Sequence, residues 1–92
     1  MRAHFTIEFV KGVCCLMDLD DGSMSITNDA EAVVNYLFAH GIIAYGDKIP
    51  VIYCDTDGMW DGMRIRGNEF AGFVPIGTPD IDEAVEYALL QR

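Results

Sequence analysis

The spacing of apolar and polar residues changes several times along this chain, and each change marks an element. From His4 to Val10 the pattern alternates: Phe5, Ile7 and Phe9 on one side, His4, Thr6 and Glu8 on the other. A period of two predicts a strand buried on one face. Lys11-Gly12 reads as a two-residue hairpin turn, because glycine takes positive φ at little cost. Val13 to Leu19 is the returning strand, rich in small and sulfur-bearing side chains. Asp20-Asp21-Gly22 is a second turn, and Ser23 to Thr27 is a short third strand or the approach to a helix.

The period then lengthens to that of a helix. Ala30, Val33, Val34, Leu37 and Phe38 form one apolar stripe. Asn28 is the expected N-cap, Glu31 can close a capping box, and Gly41 fits the C′ position. Ile42 to Lys48 is a connection. Val51 to Cys54 is a buried strand introduced by Pro50, and Asp55-Thr56-Asp57-Gly58 is a turn. Met59 to Ile65 and Glu69 to Ile76 are two further strands joined at Arg66-Gly67-Asn68, giving a three-stranded meander. Thr78-Pro79-Asp80 opens a last helix, with Asp80 and Glu83 placed for a capping box. Its stripe is Ile81, Ala84, Val85, Ala88 and Leu89.

The order is β-β-(β)-α-β-β-β-α. It predicts one α+β domain over residues 1–92: a single antiparallel sheet of about five strands with two amphipathic helices on one face. The other sheet face is then left to solvent or to a partner.

Composition supports a folded chain. Of 92 residues, 51% are hydrophobic, too many for intrinsic disorder. No apolar run approaches the roughly 20 residues of a membrane span. Glu8 and Lys11 interrupt the N-terminal stretch, so it does not read as a signal peptide. The three cysteines include the adjacent Cys14 and Cys15 and make no C-x-x-C pair, which argues against a disulfide framework or a zinc knuckle. A reducing, cytoplasmic location is the expectation.

Charge narrows the partner classes. Fifteen acidic residues against six basic ones leave a net charge of −9. Long stretches, from Gly12 to Asp47 and from Gly67 to Gln91, hold no basic residue. Direct binding to nucleic acid or to an anionic membrane is disfavoured, since both need clustered Lys and Arg. Many of the acids sit at turns and helix starts, where Asp is favoured for its local hydrogen bonds.

The sharpest local pattern is Val51-Ile52-Tyr53-Cys54-Asp55-Thr56-Asp57-Gly58. An apolar strand ending in D-x-D-G resembles the first motif of the haloacid-dehalogenase-like phosphotransferases. The resemblance implies Asp55 as nucleophile, Asp57 as acid/base and Mg²⁺ to offset the charge. It covers about eight residues. Met59 replaces the usual Thr or Val, and no Lys follows Gly58. Asp55, Asp57 and Asp61 also fall at positions 1, 3 and 7 of an EF-hand-like loop, which makes them the candidate ligands for weak Mg²⁺ or Ca²⁺ binding. Arg66 stands where that loop needs Glu, and Gly58 comes too early. Asp-Gly is equally a preferred turn dipeptide. No resident cofactor is expected.

Trp60, the single Trp, lies between Met59 and Asp61, with Met63 nearby. Trp60, Met59 and Met63 are the candidate partner contacts, because Trp anchors interfaces and Met adapts to them. The alternative is that Trp60 is core. Cys54 would need a base to act as nucleophile, and the two His residues, His4 and His40, have no evident link to it. No Ser-His-Asp set and no glycine-rich phosphate cradle is present. No catalytic residue is named.

The first expectation is therefore a non-enzymatic interaction module or accessory subunit that contacts a protein partner or a second copy of itself. The second is a metal-dependent phosphoryl or ester hydrolase using the Asp55-Thr56-Asp57-Gly58 turn. The third is an acidic DNA-mimic decoy of a nucleic-acid-binding protein.

Overall fold

The structure is a computed structural model that describes residues 5–19 and 25–91. Five strands and two helices follow one another: β1 (Phe5–Val10), β2 (Val13–Asp18), α1 (Ala30–Ala39), β3 (Val51–Cys54), β4 (Trp60–Arg66), β5 (Glu69–Thr78) and α2 (Ile81–Gln91). The strands form one sheet in the order β1-β2-β3-β4-β5. The α+β class, the five strands and the two helices match the sequence pattern.

The sheet is mixed, not wholly antiparallel. β1 with β2, β3 with β4, and β4 with β5 are antiparallel, whereas β2 and β3 run parallel with Cys14 opposite Val51 and Met17 opposite Cys54. Antiparallel neighbours need only a turn, but a parallel pair needs a crossover of a dozen or more residues. The long connection carrying α1 is such a crossover.

Placing both helices on one face is also incorrect. α1 contributes Ala30, Val33, Val34 and Leu37 to a core with Phe5, Cys14, Leu16, Val51, Tyr53 and Met63. α2 contributes Ala84, Val85 and Ala88 to a second core with Val13, Cys15, Ile52, Cys54 and Trp60. These strand residues alternate along β2 and β3, so the helices cover opposite faces. The cause lies in β2 and β3, whose positions 13–16 and 51–54 are all buried. A central parallel pair is apolar on both sides, and each side needs its own cover.

The turns follow local chemistry. Lys11 and Gly12 have φ of 51° and 80°, the two positive values of a type I′ hairpin. Asp29 holds the N-cap position of α1, one residue later than expected, and its side chain makes no capping hydrogen bond. Asn28 N–H donates to Ser25 Oγ, and the Asp29 carboxylate turns back to accept from Ser25 N–H. At the other end, Ile42 N–H reaches Leu37 O at 2.9 Å and Gly41 N–H reaches Phe38 O at 3.1 Å. With Gly41 at φ 68°, this is a Schellman motif. Asp80 Oδ1 accepts from Asp82 N–H at 2.9 Å and caps α2. The Asp80 N–H goes to Thr78 Oγ1 instead of Glu83. Residues 26–28 are turn, not strand. His4, the Asp20-Asp21-Gly22 turn and the start of the expected third strand lie outside the described residues.

Candidate functional site

Because β2 and β3 are parallel, their C-terminal ends share one edge of the sheet. Asp18 closes β2, and Asp55 directly follows β3. Asp61 enters the same region from β4, as the cross-strand partner of Tyr53. In open sheets of this kind the carboxyl ends of parallel strands are where ligands commonly sit.

Asp18, Asp57 and Asp61 each accept from backbone N–H groups, whereas Asp55 is tied through its main-chain carbonyl. Ile26 N–H donates to Asp18 at 3.1 and 3.3 Å, fixing the segment that leads into α1. Met59 N–H donates to Asp57 Oδ1 at 3.0 Å, and Gly58 N–H closes the turn onto Asp55 O at 3.0 Å. Gly58 has φ 81°, which favours glycine there. Asp61 Oδ1 accepts from both Ile76 N–H at 2.9 Å and Gly77 N–H at 3.0 Å. That double acceptor clasps β5 where its register against β4 shifts between Trp60 and Gly62.

The cluster carries like-charge crowding. The Asp55 carboxyl is pushed up to about 6 by burial, then by a hydrogen bond with Asp18 and by the negative charges of Asp18, Asp57 and Asp61. Asp55 thus holds a proton more readily than a free carboxylate does. Tyr53 is pushed up to about 12 by burial, then by Asp61, Asp55 and Asp57. Its ring lies 5.4 Å from that of Phe73, which lies 4.8 Å from Phe70. Phe73 is 41% exposed. Tyr53 therefore borders the carboxylates, and Phe73 and Phe70 continue the aromatic row along β5, opposite Met63 and Ile65.

The expected metal ligands Asp55, Asp57 and Asp61 come to this edge, but Asp57 and Asp61 each commit an oxygen to backbone N–H groups. Among the described residues, no three or more His, Cys, Asp and Glu side chains converge as a metal-holding group. Of the expected partner contacts, Trp60 is 4% exposed and Met63 6%, in the cores on opposite faces. Met59 alone is half-buried at the surface.

Cys54 is buried, and burial together with Asp57 and Asp55 pushes its thiol up. Burial also drives Cys14 to about 12 and Cys15 to about 11. Such thiols are poor nucleophiles at neutral pH. His40 is the C-cap residue of α1, its ring 4.1 Å from that of Tyr36.

Sequence reasoning missed Asp18, Tyr53 and Phe73 as members of this site. Asp18 meets Asp55 only through the parallel pairing. The signal for that pairing was the pair of short strands with no polar face, Val13-Cys14-Cys15-Leu16 and Val51-Ile52-Tyr53-Cys54. No protein-family model matches the chain, and no curated protein or solved structure matches it either.

Proposed function

We propose that this protein is a non-enzymatic interaction module or accessory subunit that docks a basic segment of a protein partner at the carboxylate edge. The observation that supports this reading is the exposed Phe73 ring packed 5.4 Å from Tyr53, which itself lies beside Asp61, Asp55 and Asp57. Carboxylates pair with Arg and Lys, while aromatic faces attract the same cations. Backbone hydrogen bonds hold Asp57 and Asp61 in place before any partner arrives, which lowers the ordering cost of association. The two helices cover the centre of the sheet on both faces, which favours this edge for the proposed contact.

The test is calorimetric titration with an oligo-arginine peptide, with an oligo-glutamate peptide as control. Oligo-arginine binds, more weakly as salt rises, and Phe73→Ala and Asp57→Asn each weaken it several-fold. Equal uptake of both peptides, or affinity unchanged by Phe73→Ala, defeats the reading. The hydrolase reading has less support, since Asp57 and Asp61 already serve the backbone.

A further inference from the structure

The opposite end of the sheet holds a groove of about 620 Å³ where β3 begins and β4 ends. That volume lies within the range of roughly 300–1,000 Å³ common for small-molecule pockets. The last turn of α2, with Tyr87 and Gln91, and the connection through Tyr45 and Lys48 both contribute to its lining.

The inner surface is apolar, and one glycine keeps part of it low. A Cβ on Gly62 would meet Val74 Cβ at 3.1 Å and Ile76 Cδ1 at 3.6 Å. No side chain stands up from β4 at that point, and the lining there is backbone, Val74 and Ile76.

The polar lining has the sign opposite to the chain as a whole. Lys48, Arg64 and Arg66, three of the six basic residues in a chain of net charge −9, border this groove. All three are exposed, and Arg64 and Arg66 project from one side of β4 by their two-residue spacing. Among the described residues the ion pair within 4.0 Å is Lys11 with Glu86, at 3.0 Å, which leaves these three cations out. Asp47 also lines the groove, but its Oδ2 accepts from Ala44 N–H at 3.2 Å and serves its own turn.

We infer that this groove binds a small organic anion: an oxyanion, carboxylate or phosphate monoester, carried on a flat apolar body. The guanidinium groups of Arg64 and Arg66 take the oxyanion, since their forked donors match its geometry. The apolar body lies against Val74 and Ile76, with Tyr87 alongside. Three cations gathered in an otherwise acidic molecule favour anions at this end.

The test is an amide NMR titration of the full chain with 1-naphthyl phosphate, 1-naphthoate and the cation 1-naphthylmethylamine. At least one anion saturates shifts at Gly62, Arg64 and Tyr87 at millimolar concentration or below, about tenfold tighter than the amine. The better of the two anions identifies the oxyanion. The double variant R64Q/R66Q lowers that affinity about tenfold. Its unfolding midpoint is unchanged, because both side chains are exposed. The inference is overturned if the amine binds as tightly as the anions, if neither anion moves these amides at millimolar concentration, or if R64Q/R66Q binds like the parent.

Discussion

The two ends of this sheet use charge differently. At the carboxyl ends of β2 and β3, Asp18, Asp57 and Asp61 all accept backbone N–H groups and hold turns and a strand register in place. At the other end Lys48, Arg64 and Arg66 border a groove and enter no ion pair with the described residues. These acids are part of the scaffold, tied to it by backbone hydrogen bonds. The basic side chains are exposed, so their removal is expected to leave the fold intact. Net charge, a single number, conceals both facts.

The largest effect that could break this contrast is on stability. Asp61→Ala removes the acceptor of the part-buried Ile76 N–H and of the exposed Gly77 N–H and costs about 2 kcal/mol. Arg64→Ala, at an exposed position, stays within about 0.5 kcal/mol. Urea unfolding of both variants decides it, and equal losses would end the contrast. Next in size, Asp18→Ala leaves the buried Ile26 N–H without its carboxylate and costs about 1–2 kcal/mol. In the same variant the Asp55 carboxyl moves back toward its ordinary 3.8, as carbon-detected pH titration would show.

A third prediction concerns pH. The folded-state value of Asp55, about 6, lies above its ordinary 3.8, so the native state binds this proton more tightly than the unfolded chain. Its contribution is full below about 4 and is lost as pH rises through about 6. After allowance for solvent screening, stability falls by about 1 kcal/mol across that window. Asp55→Asn flattens this part of the curve in denaturation run at stepped pH. A curve that keeps its slope in Asp55→Asn assigns the effect elsewhere. The smallest expected effect is that of salt. Moving from low to physiological ionic strength screens the crowded carboxylates and raises stability by about 0.5 kcal/mol or less. Asp57→Asn reduces that gain, whereas Arg66→Gln does not.

The local elements were readable because short-range chemistry decides them. Lys11-Gly12, Gly41 and Asp80 each act within a few residues of where they stand. What escaped reading depends on pairing at long range. Once α1 carries the chain across, β3 lies parallel to β2, the two helices separate to opposite faces, and Asp18 arrives beside Asp55. Alternation in β1 shows which of its faces is buried. The wholly apolar β2 and β3 carry no such alternation, and they form the centre of the sheet. The groove was equally hidden, since Lys48 and Tyr87 come together with Arg64 only in three dimensions.

The parallel seam between β2 and β3 also bears on how the chain assembles. The β1–β2 hairpin and the β3–β5 meander each close through short turns, and such turns form in about 1–10 μs. The seam must wait for the stretch 19–50 to loop round, a closure whose entropy cost grows with length. Until then Leu16 and Ile52, both fully buried in the finished fold, lack the strand beside them. The join expected to form last is thus the one that protects the centre, and its loop closure is expected to set the folding speed. Substitutions in α1 slow folding more than those in the hairpin turn. In hydrogen exchange, the Leu16 and Ile52 amides are among the last to give up their protons.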